Sequence, residues 1–347
     1  MKANKKKDRM EKKPITIKEI AKRLNISVSA VSKALHDDKS IGLRTKMQVK
    51  KMAEELNYQP NQTAIFLQSG KTHTIGVILP HLSETFFPQV ICGIEDVAIK
   101  NNYVVLLGQS NEDPERELML LESMKKHRVD GILISISKDT TNYDRLAKYK
   151  ETIPMVFVDR IPDMKEIHYV ACNMVSGTIQ AVSYLLQKKH RVIGMVNGPE
   201  KFFASKERLD GYRKALEKHR LKYDTSLVIN CDLSRDEIQE AVKALLNHKR
   251  KPTAIVAFHD NAAMEIIEYL MSTKKDKQIT VVSFANLPMT AHSIFRPAAS
   301  VEQYPYLQGQ KGMEILLDIM NTKQIAAESP SPYYKIILDS HLKLLKP

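Results

Sequence analysis

Four residues, Val28, Ser29, Ser32 and Lys33, fall on one side of a stretch with helical periodicity, and none of them carries a carboxylate. Small, polar and basic groups on one helix face can approach an anionic groove and hydrogen-bond to base edges and phosphates. Bond-making chemistry finds less support. Ser283, His259 and Asp260 could be imagined as a nucleophile with its base and orienting acid, but no nucleophile motif or phosphate loop accompanies them. Cys92, Cys172 and Cys231 are odd in number, widely spaced and without zinc-ligand spacing, so they read as reduced core thiols. No enzyme, metal or cofactor is expected.

The element that positions those four residues is ITIKEIAKRLNISVSAVSKAL, Ile15 to Leu35. Ile17, Ile20, Ala21 and Leu24 make one buried helical face. Asn25-Ile26 interrupts it, Asn being tolerant of a left-handed turn. Ser27 then fits as an N-cap, and Ala30, Val31 and Ala34 form a second apolar stripe. Two short helices with a tight turn have the helix-turn-helix layout. The bare pattern fits an ordinary helical hairpin at least as well. Charge changes that balance. Residues 1–73 hold 17 Lys/Arg against 7 Asp/Glu, whereas the rest of the chain holds 36 against 33. A basic module beside the helix pair is the electrostatic footprint of phosphate binding. Residues 1–14 themselves read as a solvated, disordered basic tail.

A third helix is expected from Arg44 to Asn57, with Val49, Met52, Ala53 and Leu56 inward, closing a small domain over 15–60. Residues 61–72 follow as a linker in which Pro60 ends one helix and Asn61 can cap another. Eight residues do not form a stable helix alone in water. The apolar side of this segment, Ala64 with Leu67, suits a surface that something docks.

From His73 to Pro347, strands recur every 25–30 residues with helices between them. Strands are expected at 74–80, 103–108, 131–135 and 154–158, with helices at 87–100 and 114–126. The pattern then restarts, with strands at 169–171, 191–196, 227–229, 253–258 and 279–284, helices at 175–187, 205–219, 236–247 and 261–271, and a last strand at 334–338. Such alternation predicts an α/β body of two successive doubly wound parallel sheets, with a ligand beyond the strand ends between two lobes. The basic start lacks an apolar h-region and no run spans a bilayer, so a cytoplasmic protein is expected.

In this order, ITIKEIAKRLNISVSAVSKAL, LNYQPNQTAIFLQSGKTHTIGVILP, ERLDGYRKAL, PTAIVAFHDNAA, ITVVSFANLP and SVEQY resemble the LacI/GalR family of bacterial transcription regulators, from about Ile15 to the last strand. The resemblance implies a helix-turn-helix domain on a two-lobed, periplasmic-binding-protein-like body. A solute-binding protein would share that body but would need a secretion signal and would lack the helix-turn-helix. The resemblance further implies a homodimeric repressor on a pseudo-palindromic DNA operator, controlled by a small-molecule effector such as a sugar or sugar derivative. The absence of a heptad tail gives no basis for a coiled-coil tetramer.

Carried over by motif, Thr16, Ser27 and Ser32 resemble the family's phosphate contacts, and Val28, Ser29 and Lys33 its base readers. Lys33 suits guanine, though it lacks the planar fork of the Arg many members have there. His36, Thr45, Tyr58 and Asn61 fall at backbone contacts, and Gly42 falls where many members have a Ser cap. Residues 61–68 match the hinge helix, with Leu67 at the position of the leucine that wedges between base pairs in the minor groove. In the body, Phe86, Phe87 and Arg208 match the effector cleft. Asp159, His259, Asp260 and Asn286 lie at strand ends expected to face it. Phe86 and Phe87 equally suit lobe packing, whereas for Asp159 with Arg208 ligand contact is favoured over the alternative of a structural ion pair. Many members have Asn at His259 and Asp at Ala285, so an ordinary hexose loses an acceptor pair, and Asn286 is the available substitute.

Overall fold

The computed structural model describes residues 15–58, 70–82, 85–322 and 333–345. The chain divides into two compact units at Thr72/His73.

The first unit holds α1 (Ile17–Leu24), α2 (Val28–Leu35) and α3 (Leu43–Glu55). Asn25 takes the left-handed conformation, φ 51°, and returns its N–H to the carbonyls of Ala21 and Lys22. That turn reverses the chain within three residues, and Ser27 Oγ then accepts the Ala30 N–H at 3.1 Å to start α2. Ile20, Ala21, Val31, Ala34 and Val49 are the buried centre, with Leu56 and Tyr58 packed at its edge. The loop into α3 is pinned by Lys50 Nζ to the Asp37 carboxylate at 2.8 Å and by Lys46 Nζ to the Asp37 carbonyl at 2.9 Å. The third helix stops at Glu55, two residues short of the expected end, because Asn57 again turns left-handed, φ 49°.

The second unit contains β1 (Thr74–Leu79), α4 (Phe86–Lys100), β2 (Val104–Gln109), α5 (Pro114–Lys126), β3 (Gly131–Ile134), α6 (Tyr143–Lys150), β4 (Met155–Val158), β5 (His168–Cys172), α7 (Met174–Gln187), β6 (Ile193–Asn197), α8 (Phe203–Lys218) and β7 (Val228–Asn230). It continues with α9 (Arg235–Asn247), β8 (Ala254–Ala257), α10 (Asp260–Ser272), β9 (Thr280–Ala285), β10 (Ala299–Glu302), α11 (Pro305–Thr322), β11 (Lys335–Leu338) and β12 (His341–Leu344). Two six-stranded sheets result, ordered β11-β5-β4-β3-β1-β2 and β12-β10-β9-β8-β6-β7.

The doubly wound sheets are as expected, but the lobes are interleaved rather than successive. The strand at 168–172 belongs to the first sheet, where it pairs with β4 and β11. The last two strands go one to each sheet, and β12 runs antiparallel to β10. The chain therefore crosses between lobes three times. Four elements lay outside the sequence expectation: α6, β10, α11 and β12. In α11, Gly309 and Gly312 are poor helix formers that serve close packing. A Cβ at Gly309 would stand 2.0 Å from the Val90 carbonyl oxygen, and one at Gly93 2.1 Å from that of Tyr306. The backbones of α4 and α11 thus touch at their crossing, and only glycine fits there.

Candidate DNA-binding face and ligand cavity

On α2 the inward residues Val31 and Ala34 are fully buried, while Val28, Ser29 and Lys33 are exposed and Ser32 is half-buried. The 3.6-residue period separates the two sets, so packing the core fixes which side chains face outward. Thr16 and Ser27 flank the face as N-caps of α1 and α2, both exposed. Ser27 accepts a hydrogen bond through oxygen, which leaves its hydroxyl proton to donate. Thr16 makes no side-chain cap bond. His36 donates from Nδ1 to the Ser32 carbonyl at 2.8 Å, so its Nε2 can donate to a phosphate only when the ring is protonated. Thr45 is half-buried in the first turn of α3. Tyr58 is half-buried against the core, where burial raises its phenol above the usual range and keeps it a neutral donor. Gly42 caps α3 through backbone alone. Asn61, Ala64 and Leu67 lie outside the described residues.

In the second unit, loops beyond the strand ends enclose a cavity of about 110 Å³. Phe86 and Phe87 open α4 and meet edge to face at 5.3 Å. Both line the cavity, and both belong to a buried apolar cluster that includes Ala285 and Leu287 of the other lobe, so ligand wall and lobe packing are one surface here. The loop from Ser137 to Thr140 is held by buried Glu117, which accepts from Ser137 N–H at 2.6 Å and Thr140 Oγ1 at 3.0 Å.

Arg208, from α8, is only 4% exposed. Its guanidinium lies 4.2 Å from the Phe258 ring centre and 4.6 Å from that of Phe284. Nη1 donates to the Ala204 carbonyl at 3.1 Å, while Nε has no partner. Burial lowers the guanidinium to about 10, so it remains charged near neutrality. Asp159 directly follows β4 with φ 65°, a strained conformation for a side-chain-bearing residue. Burial pushes its carboxyl up to about 6, against the pull of Arg160 and Arg208. Among the described residues no ion pair joins Asp159 to Arg208 within 4 Å.

His259 caps α10, its Nδ1 accepting the Ala262 N–H at 2.9 Å. The proton of the neutral ring is therefore assigned to Nε2, which is a donor. Burial holds the imidazole down to about 4, with Arg208 adding to the effect, so it stays neutral.

Two expected ligand contacts lie elsewhere. Asp260 is fully buried and absent from the cavity wall. It accepts from Ser283 Oγ, from Ser300 Oγ at 2.7 Å and from Leu287 N–H at 2.6 Å. As the first residue of α10 it points under the helix, where it ties β9 and β10 to the turn after β9. Asn286 lies in that turn at φ 49°, its Nδ2 donating to Glu302 at 2.7 Å. It does not replace the missing carboxylate, and Ala285 lines the cavity instead.

Other wall residues were not anticipated: Lys138, Arg160, Lys201, Phe202, Glu207 and Phe258. Arg160 donates from Nη1 to both Glu112 carboxylate oxygens, at 2.7 and 2.9 Å. Its guanidinium lies 5.6 Å from the Phe87 ring and 5.1 Å from the Phe202 ring, which bridges the lobes. Burial pushes the Glu207 carboxyl up to about 7. A signal for Phe202 stood in the sequence: Phe-Phe follows the first strand of each lobe, at 86–87 and at 202–203. Among the described residues no cluster of His, Cys, Asp or Glu could hold a metal ion.

Comparison with known proteins gives two family matches. Residues 16–61 match the bacterial regulatory proteins of the lacI family, and residues 72–336 match the periplasmic binding proteins and sugar-binding domain of the LacI family. The chain belongs to the LacI family. Family members are transcription regulators, and this chain is one of them. Catabolite control protein A of Priestia megaterium is 29% identical over 315 residues, 90% of this chain and 94% of that one. The transcriptional repressor PurR of Vibrio atlanticus is 26% identical over 310 residues, 89% of this chain and 92% of that one. Among solved structures, the lac repressor dimer bound to operator and the anti-inducer ONPF superposes with a TM-score of 0.81 at 20% identity, covering 96% of this chain and 99% of that chain. Among the described residues no helix is long and apolar enough to cross a membrane.

Proposed function

We propose that this LacI-family regulator is a cytoplasmic, homodimeric repressor that reads a pseudo-palindromic operator through the exposed face of α2. A sugar or sugar derivative in the interlobe cavity sets its operator affinity. The observation that carries the reading is the division of α2. Val31 and Ala34 fix the helix on its core, which leaves Val28, Ser29 and Lys33 outward without a carboxylate among them. Lys33 is the guanine reader and Thr16, Ser27, Ser32, His36, Thr45 and Tyr58 are the backbone contacts. Asn61, Ala64 and Leu67 take the hinge role.

Dimerisation has a physical motive in the second unit. Strand β2 is the free edge of its sheet, yet Val104 is 68% exposed and Leu106 and Leu107 are also bare. Ile99 and Met119 add exposed apolar surface on the flanking helices. An open apolar sheet edge on a lone protomer invites a partner.

The reading assigns no catalytic step. The ligand acts by binding the two lobe arrangements with different affinity. The test is selection of duplexes by the full chain from a random library. A pseudo-palindromic site should emerge, bound with steep salt dependence. Lys33→Ala should lose more affinity for that site than for random DNA, by about 1–3 kcal/mol per reader. Equal losses on both would make Lys33 a phosphate contact, and no enrichment would remove the sequence-reading role.

A further inference from the structure

We infer that the interlobe cavity is built for an acidic ring compound, a sugar acid or sugar phosphate, rather than for a neutral sugar. The inference rests on the reading of this cavity as the effector site.

Charge and donor balance carry it. Four cations line the wall, Lys138, Arg160, Lys201 and Arg208, against two carboxylates, Asp159 and Glu207. Arg160 is matched by Glu112. Among the described residues neither Lys138, Lys201 nor Arg208 has an ion pair within 4 Å. Arg208 is the decisive one. A guanidinium 4% exposed, with Nε unpartnered, is a desolvated charge still lacking an acceptor. An anion at Nε supplies both the hydrogen bond and the counter-charge.

A neutral sugar meets only part of this demand. Its hydroxyls can pair with wall groups such as Thr141, Tyr143, Asn261 and Gln303, but they bring no counter-charge for Arg208. Asp260 and Asn286 are committed to their own turn, and position 285 is Ala. His259, with Nδ1 occupied, offers a donor only. Burial raises both remaining carboxyls, Asp159 to about 6 and Glu207 to about 7. Near neutrality Asp159 is therefore mostly ionised and Glu207 only partly, and together they do not offset Lys138, Lys201 and Arg208. The phenylalanines at 86, 87, 202 and 258 supply apolar faces for a ring.

The experiment is calorimetric titration of the full chain with glucuronate, glucose 6-phosphate, glucose and inorganic phosphate, repeated on Arg208→Met and Arg208→Lys. At least one acid should bind about tenfold or more tighter than glucose, which is the weight of one charge-assisted pair. Inorganic phosphate should bind weakly and compete with it. Binding should vanish in Arg208→Met and survive in part in Arg208→Lys, whose retained charge separates ligand contact from misfolding. The two acids tell carboxylate from phosphate. Glucose binding as tightly as either acid overturns the inference, and so does the failure of both acids and phosphate to bind. Operator affinity keeps the two readings apart. An acid that binds through Arg208 without changing operator affinity sinks the effector reading and leaves the acid site. A neutral ligand that changes operator affinity does the reverse.

Discussion

Replacing Arg208 with Met should make the unliganded protein more stable while removing its ligand. Burial lowers the guanidinium from 12.5 to about 10. At 1.36 kcal/mol per tenfold, holding the charge in the folded state costs ~3 kcal/mol. Stacking on Phe258 and Phe284 returns ~1 kcal/mol and the bond to Ala204 another ~1 kcal/mol. Met keeps much of the packing volume and discards the charge. The net expectation is a gain of ~1 kcal/mol, or ~2–4 °C in the melting temperature of a body this size. Differential scanning calorimetry of the full chain with and without ligand reads both halves of the prediction. A loss above ~2 kcal/mol would make Arg208 a structural residue, contradicting the unpaired geometry. A gain with ligand binding intact would remove Arg208 from the site.

Three further outcomes follow from particular contacts. Asp159 and Glu207 have folded-state values raised from 3.8 to about 6 and from 4.5 to about 7, so the stability they contribute is full below pH 3.8 and is lost as pH rises through 6 and 7. Melting temperature against pH should fall less steeply across that window in Asp159→Asn with Glu207→Gln than in the parent, and identical slopes would show that neither group is raised. Asp260→Ala strands the partners of three buried hydrogen bonds and should cost ~3 kcal/mol or more in denaturant unfolding, whereas a loss under ~1 kcal/mol would return Asp260 to the ligand. Gly42→Ser meets nothing within 4 Å and has an ordinary φ of −63°, so the added cap should stabilise the first unit by ~0.5–1 kcal/mol, and destabilisation would contradict the open N-cap.

Local features were legible in the sequence where physics is local. The two stripes of the helix-turn-helix, the turn at Asn25 and the cap at Ser27 each depend on residues within one or two turns, and all stand as expected. The first-lobe helix at 114–126 matches to the residue, because Asp113 caps it and Pro114 opens it. Sheet membership was not legible. Nothing near 168–172 records that its neighbours are β4 and a strand from the far end of the chain. Helix α11 was hidden because Gly309 answers to α4 and Gly312 to Leu133 and Val158 of the sheet, not to helix propensity. In the cavity, Arg208, Asp159, His259, Phe86 and Phe87 come together as the motif suggested. Asp260 and Asn286 were misplaced because position at a strand end does not say which way a side chain turns, and Ser283, Ser300 and Glu302 decide that.

Operator affinity measured with the cavity empty and filled tests the central claim most directly. The operator is the duplex recovered by selection, and the ligand is the member of a screen of sugars, sugar acids, nucleobases and phosphorylated metabolites that saturates the cavity. Fluorescence anisotropy should show operator Kd shifted about fivefold or more by saturating ligand, in either direction, in the parent and not in Arg208→Met. The same Kd with and without saturating ligand in the parent would contradict the account, leaving a DNA-binding unit and a ligand-binding unit that do not communicate.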